Sequence, residues 1–342
     1  MGFATAYDTK KHPDNQKRTC EWLLEPWHRI RSSTSVLHQS LFPVIFLHRI
    51  VDKPTRILKP GQLRAYAKIN LGLFVREKRP DDYHNIETVF HRIDLYDEIV
   101  LDEGDDISVI TTDPAAPGNE GNLCYKAAKL LREQLGVQDG VRISIRKNIP
   151  VGAGLGGGSS DAATVLRALP AFWGRAVDDN LLRQLALQLG SDLPYFLGKG
   201  AAIGRGRGEM LEYFDLTIPY TILLCYPNVH VSTHWAYQNV NPSGVLPKNL
   251  KQLVIDGMKT PLILRNNLRN DFESVVFREF PVVMKVKETM MHGEADFALM
   301  SGSGSSVFGF FSRQQSAFSI EENLRSQGWL TFQTAPHFSP AD

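Results

Sequence analysis

Cysteine is scarce. Three occur in 342 residues (Cys20, Cys124 and Cys225), widely spaced and without a C-x-x-C pair. That argues against a disulfide framework or a cysteine-based zinc site and fits a reducing compartment. A dominant charge is lacking too. The 38 Lys+Arg against 37 Asp+Glu leave a net +1, whereas a dedicated nucleic-acid binder would be far more basic. Long apolar runs are missing: the most apolar stretch of the first third, Leu41 to Leu47, contains Pro43 and falls far short of the roughly 20 residues a bilayer needs. What is there is an ordinary globular mixture, 43% hydrophobic and 22% charged, which excludes a wholly disordered or collagen-like chain. The length suffices for two modest domains or one large two-lobed one.

Residues 1 to 59 differ in texture. They hold ten Lys/Arg, five Asp/Glu and four of the ten histidines, about +5 against about −4 for the rest, and no periodic run. They lack the charged n-region, apolar h-region and cleavage pattern of a secretory signal. Ser and Arg at 31–35 would suit an organelle transit peptide, but the five acidic residues oppose it. The expectation is that residues 1–60 form a poorly ordered or non-native extension.

From Gly61 onward, regular elements are expected. Leu63 to Val75 reads as a strand, followed by a turn at Arg79-Pro80-Asp81-Asp82, and Ile86 to Leu101 as two more strands. Asn122 to Leu135 carries apolar residues at helical spacing with Gly136 as a stop. Val141 to Ile145 alternates as a strand. A helix is expected from about Ser159 to Leu169, stopped by Pro170, and another over Leu181 to Leu189, ended by Gly190. Tyr220 to Cys225 is a buried strand. Helices over 271–278 and 282–291 and strands over 297–300 and 307–311 follow. Runs of strands and helices without a regular βαβ repeat indicate an α+β fold.

The most informative segment is Pro150-Val-Gly-Ala-Gly-Leu-Gly-Gly-Gly-Ser-Ser-Asp161. Its five glycines permit positive φ angles, so that successive N–H groups converge on one point. Ser159, Ser160 and Asp161 are good N-cap types ahead of a helix. A strand, a glycine loop and a helix N-terminus make an anion site suited to phosphate. Three readings compete. Gly152, Gly154 and Gly157 fit G-x-G-x-x-G, but a dinucleotide site needs a second strand ending in an acid about 20 residues on, and the stretch before Asp178 and Asp179 is a poor strand. A Walker loop has the right Gly152–Gly157 spacing, but Gly158 stands where its lysine belongs. The third reading is a phosphate loop whose lysine comes from elsewhere. A merely structural turn would carry too large an entropic cost in glycine.

Three segments in order, Ala67-Lys68-Ile69-Asn70-Leu71, Pro150 to Ala163, and Met300-Ser-Gly-Ser-Gly-Ser-Ser-Val307, resemble the motifs of the superfamily of galactokinase, homoserine kinase, mevalonate kinase and phosphomevalonate kinase. Within it, Ala67-Lys68-Ile69-Asn70-Leu71-Gly72-Leu73, Arg79-Pro-Asp-Asp-Tyr83-His84, Thr88-Val-Phe90, Gly190-Ser-Asp192-Leu-Pro194 and Asn270-Asp271-Phe272-Glu273 are similar to the 4-diphosphocytidyl-2-C-methyl-D-erythritol kinase family, over roughly residues 61 to 335. One departure is Asp82, where that family usually has Gly before Tyr-His; it puts the local loop geometry in question.

The resemblance implies a two-lobed small-molecule kinase fold. An ATP-binding lobe of ribosomal protein S5 domain 2-like type would span 61–215, and a ferredoxin-like α/β-sandwich lobe 216–335. It implies ATP and Mg²⁺, with no metal ligands named, and transfer of the γ-phosphate to the 2-hydroxyl of the methylerythritol unit. By the same resemblance Pro150, Val151, Gly152, Ala153, Gly154, Leu155, Gly156, Gly157, Gly158, Ser159 and Ser160 would wrap the ATP phosphates, Asp192 would accept the proton of the attacking hydroxyl, and Lys68 would hold that carboxylate ionised. Tyr83 and Tyr237 would sandwich a cytosine ring, His84 would read its polar edge, and Asn70 would sit near the transferred group. The loop Gly302-Ser303-Gly304 would close near the phosphates. Alone, Asp192 reads as a helix N-cap, Lys68 as a strand-edge lysine, and Asn270 or Asp271 as a helix cap. A sister kinase acting on mevalonate or homoserine, or a nucleotide-binding regulator without turnover, remain the rivals. The expected partner is a small molecule, with no nucleic acid or membrane and a monomer or weak homodimer. The expected location is a bacterial cytoplasm, or a plastid if the extension is a transit peptide.

Overall fold

In the first strand, β1 (Gln62–Lys78), residues alternate across the backbone. Ala67, Ile69 and Leu71 are wholly buried in one apolar cluster, which leaves Lys68 and Asn70 on the opposite face. The computed structural model describes residues 61–340 apart from 243, 245 and 246; the expectation for residues 1–60 lies outside the described residues.

The chain continues through β2 (His84–Asp102), β3 (Ile107–Thr111), α1 (Leu123–Leu135), β4 (Val141–Arg146), α2 (Gly157–Phe172), α3 (Asp179–Leu189), α4 (Leu193–Leu197), β5 (Ala201–Gly206) and β6 (Met210–Phe214). Then come β7 (Thr221–Tyr226), α5 (Thr233–Asn239), α6 (Leu250–Gly257), α7 (Pro261–Asn267), α8 (Glu273–Glu279), α9 (Pro281–His292), β8 (Phe297–Met300), β9 (Val307–Phe311), α10 (Gln314–Ser326) and β10 (Leu330–Thr334). One sheet has six strands, with order β3-β4-β2-β5-β6 and β1 paired to β2; the other has four, β10-β7-β9-β8.

Where two strands were expected over 86–101, β2 is one strand of 19 residues. It is held along its length by β1, at its first half by β5 and at its second by β4. Helix α1 is as read: Asn122 accepts from the Cys124 N–H at 2.8 Å, and Gly136 closes it at φ 63°. Helix α2 starts two residues earlier than expected, with Gly156 rather than a serine or Asp161 as N-cap, and runs through Pro170. The proline sits in the last turn, where its missing N–H removes one hydrogen bond.

Three apolar clusters layer the molecule. One packs α1, α2 and α3 on the six-stranded sheet through Val165, Leu166 and Ile143. A second joins β1 residues Ile69 and Leu71 to Leu224, Phe308 and Phe310 of the four-stranded sheet. A third covers that sheet's other face with Val276, Val286 and Leu324. At about 1.5–3 kcal/mol for each large apolar side chain withdrawn from water, the second cluster fixes β1, and with it Lys68 and Asn70.

Candidate active site

Lys68 and Asn70 open into a cavity of about 860 Å³. Lys68 is 4% exposed. Its Nζ donates to Asn70 Oδ1 at 2.7 Å and to the Gly154 carbonyl at 3.1 Å, and lies 3.8 Å from Asp192 Oδ2. Burial depresses the Lys68 pKa, and the Asp192 carboxylate opposes that shift. Asn70 is oriented in turn: its Nδ2 donates to Thr88 Oγ1, which donates to the Gly72 carbonyl. Asp192 heads α4 without capping it; no side-chain cap bond is made, and its backbone is helical. It faces the lysine instead.

The glycine loop forms the cavity's next wall. Gly152, Gly154 and Gly156 have φ of 67°, 77° and 70°, while Gly157 and Gly158 are already the first turn of α2. The loop is tied to β1 by the Lys68 N–H to the Leu155 carbonyl at 2.9 Å. The hairpin loop between β8 and β9 closes on it. Ser301 Oγ donates to the Gly154 carbonyl at 3.0 Å, and the Ser306 N–H to the Ala153 carbonyl at 3.2 Å. A Cβ on Gly154 would lie 2.2 Å from the Ser301 carbonyl oxygen. Asn270 holds this hairpin from behind, donating to the Met300 and Gly302 carbonyls at 2.8 and 2.7 Å. Asp271 accepts from the Val75 N–H. Neither residue is the N-cap of α8, a place taken by Phe272. The pair ties β1 to the hairpin.

At the other end stand Tyr83, His84 and Tyr237. The His84 and Tyr237 rings stack at 5.5 Å and 21°, and Tyr237 meets Phe272 edge-on at 4.8 Å. Tyr83 is 54% exposed with the Arg207 guanidinium 4.8 Å above its ring. His84 Nδ1 is buried without a hydrogen-bond partner, and burial lowers its pKa, so the imidazole is neutral at pH 7. Tyr237 is held protonated by burial and by the Asp192 charge.

The expected site residues therefore meet in one place, with two exceptions. Ser160 is buried and spends its hydroxyl on the Tyr66 carbonyl, and Gly304 packs behind the loop; neither lines the cavity. The dinucleotide reading fails, because α2 leads into α3 rather than a strand, and Asp178 caps α3 by accepting from the Asn180 N–H. Missed from sequence were Lys147, Asp161 and Arg207, all on the cavity wall. Lys147 bridges Asp97 at 2.5 Å and Asp161 at 2.7 Å, all three nearly inaccessible to solvent. Asp97 lies among Asp94 and Glu98 in β2, so nothing set it apart; the lysine three residues before Pro150 was the one available signal. Arg207 stands between two glycines of the β5–β6 turn.

Comparison with known proteins follows the same line. Residues 122–200 match the GHMP kinases N terminal domain and 259–328 the GHMP kinases C terminal domain. A 4-diphosphocytidyl-2-C-methyl-D-erythritol kinase of Chlorobium limicola is 45% identical over 286 residues, 82% of this chain and 98% of the relative. The chain belongs to the 4-diphosphocytidyl-2-C-methyl-D-erythritol kinase family. A relative of that name from Prosthecochloris aestuarii is 42% identical over 77% of this chain and 93% of its own. A solved 4-(cytidine 5'-diphospho)-2C-methyl-D-erythritol kinase aligns with a TM-score of 0.68 at 36% identity, covering 80% of this chain and 98% of that one. A homoserine kinase from Cytophaga hutchinsonii, 20% identical with a TM-score of 0.58 over 82% and 96% of the two chains, shares the fold. The two-lobed α+β kinase fold is thus that of this chain, an ATP-dependent kinase. The family's usual glycine before Tyr-His also finds its reason here. Asp82 has φ 65°, the left-handed region that glycine enters freely and Asp tolerates better than most residues.

Proposed function

We propose that this kinase transfers the γ-phosphoryl group of ATP to the 2-hydroxyl of 4-diphosphocytidyl-2-C-methyl-D-erythritol, in the non-mevalonate route to isoprenoid precursors. The observation that carries the reading is the Lys68–Asp192 pair, 3.8 Å apart, opening into one cavity with the glycine loop on one side and His84 and Tyr237 on the other. Asp192 accepts the hydroxyl proton as the oxygen attacks the γ-phosphorus and the bond to ADP breaks. Lys68, buried and already hydrogen-bonded, offers a fixed positive charge to the developing negative one. Asn70 orients that ammonium. The N–H groups from Gly152 to Ser159 face the ATP phosphates, in residues 61–215 as the ATP-binding lobe, with 216–335 as the second lobe. At the far end, neutral His84 presents an unpartnered ring nitrogen to the cytosine edge, with Tyr83 and Tyr237 as its aromatic walls.

Mg²⁺ enters this reading with ATP. Among the described residues no group of three or more His, Cys, Asp or Glu is arranged to hold an ion alone, which fits an ion that takes most of its ligands from phosphate oxygens and water. The Ser159 hydroxyl at the head of α2 is the wall residue that would hold it, and the ion supplies charge neutralisation. Among the described residues no helix is long and apolar enough to cross a membrane. A small-molecule substrate, a bacterial cytoplasm and a monomer or weak homodimer complete the reading.

The test is coupled ATP turnover with the cytidyl substrate, mevalonate and homoserine offered in parallel. Turnover is expected with the first alone, and Asp192→Asn should lower kcat by about 10²–10⁴-fold. Turnover with either other alcohol, or an active Asp192→Asn, refutes the assignment.

A further inference from the structure

Lys68 on β1 and Arg92 on β2 are directly opposed partners in the strand register, so both side chains leave the same face of the pair. Lys68 approaches the start of α4, where Asp192 stands. Arg92, 9% exposed, reaches the other end of the same helix. Its Nη2 donates to the carbonyls of Phe196 at 2.9 Å and Gly198 at 2.7 Å, with that of Tyr195 at 3.5 Å. The rings of Tyr195 and Phe196 lie 5.5 and 5.9 Å from the guanidinium. Tyr213 adds a second hold: its hydroxyl lies 2.9 Å from the Tyr195 carbonyl and 3.1 Å from that of Pro194 and donates to this pair.

Helix α4 has five residues. A helix so short gains little from its own hydrogen bonds, and its C-terminal carbonyls have no partners within it. A cation at that end satisfies them and suits the helix dipole. Nothing in the chemistry of the reaction calls for a buried arginine here, yet the hydrogen bonds of this one go to the C-terminal end of the helix whose preceding residue, Asp192, faces Lys68.

We propose that Arg92 is a positioning residue: through the far end of α4 it sets the distance between Asp192 and Lys68. The strand pair that carries the lysine thereby also carries the carboxylate, and the two move as one body. The inference rests on Asp192 and Lys68 being the reacting pair described above.

The consequence is specific. The Asp192 carboxylate opposes the depression of the Lys68 pKa by burial. The other groups around the pair are Asn70, the Gly154 carbonyl, the Phe90 ring 5.6 Å from Nζ, and Tyr237, which faces Asp192. If α4 relaxes and Asp192 retreats, Lys68 loses its counter-charge and deprotonates at lower pH.

The experiment compares Arg92→Met, Arg92→Lys and Tyr213→Phe with the wild-type chain by Tm, kcat, both KM values and the pH profile of kcat. Thr331→Val serves as a control; it removes a buried hydrogen bond to Glu321 in the four-stranded sheet, away from the cavity. Arg92→Met is expected to lower kcat about tenfold with each KM within about twofold, and to move the basic limb of the profile down by about half a pH unit. Arg92→Lys should recover part of both effects, and Tyr213→Phe should shift both in the same direction by less. Thr331→Val should lower Tm and leave kcat and the limb in place. A folded Arg92→Met with wild-type kcat and basic limb overturns the inference. If Arg92→Met does not fold, wild-type kcat and profile in both Arg92→Lys and Tyr213→Phe overturn it equally. An active Asp192→Asn would instead sink the reading on which it rests.

Discussion

Gly154 is where the two glycine loops touch, and replacing it by alanine separates two effects. The first is conformational. At φ 77° an alanine costs about 1–2 kcal/mol. The second is steric. The new Cβ would lie 2.2 Å from the Ser301 carbonyl oxygen and 2.9 Å from that of Gly304, both backbone atoms that cannot swing aside. To restore a normal contact the 301–306 hairpin must retreat by about 1 Å. That breaks the Ser301 Oγ and Ser306 N–H bonds to the loop, worth about 0.5–1.5 kcal/mol each. The total is about 2–5 kcal/mol. Gly136 is the matched control. Its φ is 63°, and an added Cβ would meet nothing within 4 Å, so Gly136→Ala carries the conformational cost alone.

At about 2 °C per kcal/mol for a chain of this size, calorimetry should find Tm lowered by about 2–4 °C in Gly136→Ala and by about 4–10 °C in Gly154→Ala. Turnover should separate them further. The Gly154 carbonyl accepts from Lys68 Nζ, so any part of the clash taken up by the glycine loop itself drags on the proposed reacting ammonium, and a shift near 1 Å costs about 10²-fold in kcat/KM. Gly136→Ala should keep wild-type kinetics. Equal Tm losses in the two variants, with Gly154→Ala fully active, would show that the loops do not approach as described.

Two further outcomes follow from charges and backbone. Burial, helped by the neighbouring Asp97 carboxylate and opposed by the Lys147 ammonium, pushes the Asp161 pKa up to about 8. Unfolded, it ionises near about 4; between these values the folded state binds more protons, so this group's stabilising contribution declines as pH rises from about 4 to about 8. Asp161→Asn keeps the shape of the neutral acid with no proton to lose, and urea unfolding at pH 5.5 and 8 should show a smaller loss across that range than in the wild type; an equal loss would refute the assignment. At Asp82, φ 65° predicts that Asp82→Gly keeps the KM for the cytidyl substrate while Asp82→Val raises it several-fold, because a β-branched side chain resists that conformation; steady-state kinetics on the two variants decide.

Elements with a periodic or capped signature were legible in the sequence. Helix α1 could be read from Asn122 to Gly136, and β7, β8, β9 and α9 from their apolar runs. Helix α4 could not, since five residues complete little more than one turn and show no period. β6 is an edge strand with two of its five side chains exposed, so no burial pattern marks it. The joining of two expected strands into β2 depends on β4 and β5 gripping its two halves, a tertiary fact. The site divides in the same way. Lys68, Asp192 and the glycine loop stand in motifs, whereas the Asp97–Lys147–Asp161 cluster is assembled from β2, the approach to the loop and α2, and the hydrogen bonds of Arg92 go to backbone oxygens about 100 residues away in the chain. No local spacing encodes either.

Asp192, the proposed base, shows how the sequence keeps a carboxylate free of its helix. As the residue before α4, it stands where an aspartate ordinarily caps, accepting from the N–H of the second or third helical residue. Here it makes no such bond. The second helical residue is Pro194, which has no N–H to offer, so one of the two competing donors is absent by composition. Pro194→Ala restores it. The cap bond thereby made available is worth about 0.5–2 kcal/mol; as a two-state preference over the place beside Lys68, that leaves Asp192 facing the lysine in only about 3–30% of molecules. The expected result is a kcat lowered about 3- to 30-fold with Tm unchanged or raised, since a cap stabilises the helix while it withdraws the proposed base. An unchanged kcat in a folded Pro194→Ala would mean that the Lys68 charge alone holds Asp192 in place, and that the proline serves only the turn.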